Sequence, residues 1–400
     1  MIYKKSLMKI FRLASYLVLL LLFAISCRNT APLVDNHLAE ITVANAFTEP
    51  ILASEMLSLE GFSLLEAPGD RTLRSIKKIL FCEGKIIVLD NRTDFQQVLV
   101  FDEGTGRYLN SIGHQSEQEG GFHELYDIVL NPHNGGITGL VAGKMCFMTW
   151  DLSGNLLSVL PNGVFGQNMA LLPNGGFLVY NEFGASDISG NYHLIVYDDK
   201  GNLADRISRY PESADGWGYD YTGFLTTCQK EIWYNPPFSD TIFTVSGERI
   251  TPKYTLNFSG NEVPIAIRQK KLTGWDTDNN SFLCEGLVKT DRYALFHFYE
   301  QQKTSLGIYD DLNEKFYNAR NFSEKDVLYP LIQVGDIFPK TDNSFALVLE
   351  PKRIRYLINK KKIDMDILTD RYPDLYRQLT AYDGNDRYLL LYFSTLGLGK

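Results

Sequence analysis

Aromatic rings interleaved with carboxylates are the feature of this chain best suited to chemistry. Between Tyr210 and Phe224 the sequence reads YPESADGWGYDYTGF, so Trp217, Tyr219 and Tyr221 alternate with glycine and aspartate, beside the carboxylates of Asp215 and Asp220. Flat apolar surfaces next to charge-assisted acceptors suit sugar rings, peptides or cations. The loops NEFGASDISGN (181–191) and 236–240 are expected to flank this stretch, which makes Glu182 and Asp187 secondary candidates. The plainer use of the same aromatics is to pack a long loop onto its own scaffold, and both readings stay open. His114, His123 and His133, with Glu117, Glu119 and Glu124 among them, invite a metal reading. Their spacing matches no ligand pattern, however, and solvated loop histidines are expected instead. No HExxH, GxSxG, P-loop, EF-hand or dinucleotide signature occurs, so no catalytic residue, metal ligand or cofactor is assigned.

The elements that must position these residues are short strands. From Ile79 to Gly113 two apolar, β-branched runs (Ile86–Leu89 and Val98–Phe101) are followed by an Asp/Gly-rich turn and a further run, Tyr108–Ile112; Ile76–Phe81 precedes them. Four short strands in one unit make a blade of a β-propeller. The unit repeats. Its marker, an apolar residue followed by Asp and a polar turn, falls at Asp102, Asp151, Asp198 and Asp310, with Ser246 holding the equivalent place; the intervals are 49, 47, 48 and 64 residues. Asp bonds its own local backbone and Gly takes positive φ without steric cost, so each turn is read as the hairpin between third and fourth strands.

The last unit is irregular. DIFPKTDNSFALVLEP supplies two strands, Ile354 to Tyr382 changes to helical spacing with a break near Pro373, and RYLLLYFS returns to strand before the chain reaches Lys400. A blade one strand short exposes an edge, so the orphan run SLLE (63–66) is expected to complete blade six and close the ring. The fold class is therefore all-β, a six-bladed propeller of four-stranded blades, sealed by its N-terminal strand, with a short helical insertion in the last blade.

The first 26 residues read as a signal: Lys4, Lys5, Lys9 and Arg12 precede an apolar stretch, Leu13–Ile25, that is short for a membrane span. Ala24-Ile25-Ser26-Cys27 is similar to a lipobox, so Cys27 is expected to carry the lipid and residues 27–54 to form anchor and tether ahead of the propeller at 55–400. Removing residues 1–26 takes the formal charge from −9 to −13, which argues against nucleic acid as a partner of the domain as a whole. Cys82, Cys146, Cys228 and Cys284 lie in separate predicted strands with no CxxC spacing, as buried free thiols would.

LLEAPGDRTLRSIKKILFCEGKIIVLD, GRYLNSIG, PPFSDTIFTV with KYTLNFSG, and the closing NDRYLLLYF resemble the six-bladed β-propeller lipoproteins of Gram-negative bacteria, an NHL/TolB-like group largely without assigned activity, over about residues 55 to 395. The chain departs from that group at HQSEQEGGF after Gly113 and at Gly384–Arg387. The resemblance implies an exported protein, lipid-anchored in the envelope; the residues after Cys27, Arg28–Ala31, lack an acidic run, which favours the periplasmic side. The expected function is a binding or scaffold module for a protein or glycan partner. The alternatives are a metal-dependent hydrolase or lactonase with its site at the channel mouth, as some six-bladed propellers have, and a subunit of an envelope assembly.

Overall fold

Apolar runs separated by Asp/Gly turns fold into six antiparallel sheets in this computed structural model, which describes residues 38–396 except 44–51, 70–71, 92–94, 117, 119, 134, 217–223, 248, 265–266, 268–278, 301, 324–325, 327, 333–334 and 383–386. Blade one is Ile76–Cys82, Lys85–Asn91, Gln96–Asp102 and Tyr108–Ser111. Blade two is Leu125–Asn131, Gly136–Val141, Cys146–Trp150 and Leu156–Pro161; blade three is Asn168–Leu171, Phe177–Tyr180, Tyr192–Tyr197 and Leu203–Arg209. Blade four is Phe224–Cys228, Glu231–Asn235, Thr241–Ser246 and Arg249–Asn257; blade five is Phe282–Lys289, Tyr293–Glu300, Lys303–Asp310 and Lys315–Asn318. The first strand of each blade lies beside those of its two neighbours, blade six meeting blade one, so the ring is closed.

Closure happens as the sequence predicts. Leu57–Leu65 pairs antiparallel with Tyr388–Thr395, which in turn pairs with Ser344–Leu349 and that strand with Asp336–Thr341. The chain's front thus supplies the outer strand of blade six. Glu66 N–H donates to Gly106 O at 3.0 Å, joining the closing strand to the blade-one turn.

The core is distributed. Six apolar clusters among the described residues each fill one interface between successive blades, from Leu89, Ile128 and Trp150 between blades one and two to Val88, Phe101, Leu390 and Tyr392 between six and one. Middle strands are covered on both faces, which is why Cys146–Trp150 is buried throughout, whereas the outer strand Leu156–Pro161 alternates between half-buried and exposed. The repeat marker takes the same geometry in blades two and three. Asp151 Oδ1 accepts from Ser153 N–H at 2.9 Å and Asn155 N–H at 2.8 Å, and Asp198 does the same with Lys200 and Asn202. Hydrogen bonds from the Asn155 and Asn202 side chains come first among the causes that hold both carboxyls below their ordinary values.

Two features go beyond the sequence reading. Ala39–Thr42 adds a fifth strand, parallel to Arg249–Asn257 on the outer edge of blade four, with Ile41 and Val43 buried against Trp233, Tyr254 and Leu256. Ordered structure therefore reaches into the stretch read as tether, as does the 3₁₀ turn Ala53–Glu55. The helical insertion comprises three helices. After α1 (Tyr329–Ile332), which precedes blade six, come α2 (Pro351–Asn359), α3 (Met365–Arg371) and α4 (Pro373–Thr380) between its second and third strands. The break at Pro373 is as expected; a second follows Lys360–Lys362, where Asp364 caps α3 by accepting from Asp366 and Ile367 N–H at 3.1 Å.

Candidate functional site

Loops that join one blade to the next, and loops between second and third strands, emerge from the same end of each blade, because strands alternate in direction. The 181–191, 210–216 and 236–240 segments all belong to this end, in blades three and four. They form one platform. Gly216 N–H donates to Phe183 O at 2.7 Å, Tyr210 N–H to Asn191 O at 2.9 Å, and Ala185 N–H to Asp215 Oδ1 at 3.0 Å. Under these bonds a separate apolar cluster joins Phe183, Tyr210, Ala214 and Phe238 to Val263, Phe282 and Tyr299, so loops of blades three and four share a floor with strand ends of blade five.

His193 sits in that floor and sequence reasoning passed over it. Its ring is edge-on to Phe183 at 4.6 Å and tilted against Tyr210 at 4.8 Å, while Nδ1 hydrogen-bonds Glu182 O at 2.7 Å. Burial pulls its pKa down from 6.5 to about 4, so it is neutral at physiological pH. The visible signal was a histidine inside the apolar run YHLIVY, a place for a satisfied core imidazole.

Of the candidate residues, Asp215 is exposed and fastens the neighbouring loop through Ala185, and Asp187 is exposed on the 181–191 loop. Glu182 is half-buried with φ of +48°, and its carbonyl serves His193. Trp217, Tyr219, Asp220 and Tyr221 lie outside the described residues, as does Cys27. A shallow cleft of about 410 Å³ opens beside Arg209, Tyr210, Pro211 and Glu212 at the start of the same loop.

The histidines near blade two do not converge. His123 precedes and His133 follows the seven-residue strand Leu125–Asn131, placing them roughly 20 Å apart. Among the described residues no group of three or more His, Cys, Asp or Glu could hold a metal. Cys82, Cys146, Cys228 and Cys284 are free thiols, and burial pushes Cys146 and Cys228 up to about 11, which makes them poor nucleophiles.

The first strands of blades one, two and three are stitched by charge. Buried Asp127 of blade two lies 2.8 Å from Lys78 Nζ of blade one and accepts from Met169 N–H of blade three at 2.7 Å and from Ile128 N–H at 2.8 Å. This pair has a structural role, for its carboxylate is fully enclosed. At the closing seam, Lys340 of blade six pairs with Glu103 of blade one at 2.8 Å and lies over the Tyr392 ring at 4.7 Å.

A family model described as "Domain of unknown function (DUF4934)" matches residues 65–383. No curated protein matches the chain. A solved structure from Bacteroides fragilis, of a protein described as exported, superposes with a TM-score of 0.71 at 15% identity, covering 90% of this chain and 100% of its own. A member of the DUF4221 family from Bacteroides vulgatus gives a TM-score of 0.53 at 10% identity, with 85% and 98% covered. Likeness at such identities establishes the shared propeller and leaves activity open. No helix among the described residues is long and apolar enough to cross a membrane.

Proposed function

The chain belongs to the DUF4934 family, and on that footing we propose that it is an exported binding or scaffold module, held to the cell envelope by a lipid on Cys27, that offers the 181–216 loop face to a protein or glycan partner. The observation that carries this reading is the platform itself. Two loops of one blade are fastened to each other by Asp215–Ala185 and Gly216–Phe183 bonds over an apolar floor shared by three blades. A base fixed in this way lowers the ordering entropy that binding costs at residues 181–216, which is what a recognition surface needs. The exported relative and the signal-like N-terminus support the address.

The test is the double substitution Trp217→Ala with Tyr219→Ala. Retention of a partner from detergent-solubilised envelopes, or of glycans on an array, is expected to fall at least about tenfold, as for loss of aromatic anchors. The thermal midpoint should stay within a few degrees of the parent. A folded double variant that retains full binding would refute the site.

A further inference from the structure

The insertion in blade six carries a charge pattern opposite to that of the molecule. From Lys352 to Lys362 the sequence KRIRYLINKKK holds six cations and no carboxylate, in a chain whose formal charge is −9. The structure puts most of them on one exposed surface. Pro351, Ile354 and Leu357 bury the apolar side of α2 in the core between blades five and six, while Lys352, Arg353 and Tyr356 of the helix and Lys360, Lys361 and Lys362 of the turn behind it are exposed. Tyr356 is 47% accessible in the middle of these cations. Carboxylates do border the patch. Glu350 precedes it, Asp364, Asp366 and Asp370 follow on and before α3, and Asp336 feels the charge of Arg353. Asp364 already serves as the α3 cap.

We propose that this surface docks onto the anionic headgroups of a phospholipid bilayer and so orients the propeller against the membrane. The inference rests on the anchored reading above, since a lipid on Cys27 leaves eleven residues to Leu38, next to the strand Ala39–Thr42 that is paired to blade four. An extended chain of that length reaches about 37 Å, whereas a globular chain of this size is on the order of 50 Å across. The body then stays within one diameter of the bilayer, at high effective concentration. An acidic body beside an acidic surface is repelled on most sides. The basic patch is the side that can approach, its cations being attracted to anionic headgroups within a Debye length, and a tyrosine among lysines and arginines is suited to the headgroup layer.

The experiment uses residues 28–400, without lipid, sedimented with vesicles of phosphatidylcholine alone or mixed with phosphatidylglycerol. Binding is expected only to the mixed vesicles and should vanish at high salt. The triple substitution Lys360→Glu, Lys361→Glu and Lys362→Glu, all exposed, should weaken it at least about tenfold with the thermal midpoint unchanged. A control with Lys200→Glu, Arg249→Glu and Lys303→Glu should bind like the parent. Equal binding to both vesicle types, no binding at low salt, or a folded triple variant that binds like the parent would overturn the proposal. Fatty-acid labelling of Cys27 in cells tests the anchor alone, so the two readings fail separately.

Discussion

Asp127 and His193 are single residues on which several strands or loops depend, and local sequence does not announce the partners of either. Asp127 takes hydrogen bonds from its own blade and from blade three while pairing with Lys78 of blade one. Asp127→Ala leaves a half-buried ammonium and two buried N–H groups without their acceptor. It should destabilise the protein by about 3–5 kcal/mol, read as a lower denaturation midpoint with unchanged secondary structure in what still folds. For His193, burial sets a folded pKa near 4 against an ordinary value of 6.5. The unfolded chain takes up the proton first, so the stability tied to this group is whole above pH 6.5, falls as the pH drops toward 4 and is flat below. The loss is on the order of 3 kcal/mol. Urea midpoints measured across that window should slope in the parent and flatten in His193→Gln; the same slope in both would show that the imidazole is not responsible. Asp215 and Glu182 were legible as members of one loop face because YPESADG and NEFGASD stood out by composition. Their tasks were not, since Asp215 acts through a backbone N–H thirty residues away.

Strands and turns were far easier to read. Asp102, Asp151, Asp198 and Asp310 each cap their own hairpin within a few residues. A local cause leaves a local trace. The helices of the insertion followed from their apolar spacing, yet the break at Lys360–Asp364 was missed because lysines are acceptable inside a helix and the cap is a matter of geometry. Ala39–Thr42 was missed for a related reason. Four residues carry too little alternation to announce a strand, and its partner lies more than two hundred positions away. Turn geometry also fixes the ring's seam. Gly106 has φ of +72°, and a Cβ there would lie 2.2 Å from Leu64 O in the closing strand, backbone that cannot yield without shifting the strand. Gly84 has nearly the same φ, +70°, with nothing within 4 Å. Gly106→Ala should therefore cost more than about 1 kcal/mol beyond Gly84→Ala and speed proteolysis within residues 57–66; equal losses would mean that the conformational penalty alone matters.

For the molecule as a whole, six blade interfaces each own an apolar cluster, so no central nucleus dominates and stability is shared around the ring. The closed wheel was legible because repeated units imply repeated neighbours and an unpaired edge demands a partner. What the loops recognise was not legible, since recognition depends on convergence of side chains from separate blades. The same architecture separates two kinds of surface. Hairpin turns at Asp102, Asp151, Asp198 and Asp310 occupy one end of the blades, while longer connections, the 181–191 loop and the helical insertion among them, gather at the other. Variation in length is thus confined to the end where partners are proposed to bind.

The seating of Tyr388–Thr395 between Ser344–Leu349 and Leu57–Leu65 sets an order of events for a chain that emerges amino end first. Leu57–Leu65 waits through more than three hundred further residues before the strand it needs has been delivered, so blade six is the last sector to gain all four of its strands. A chain cut short anywhere before Tyr388 would leave Leu57–Leu65 without its neighbour and the wheel unsealed.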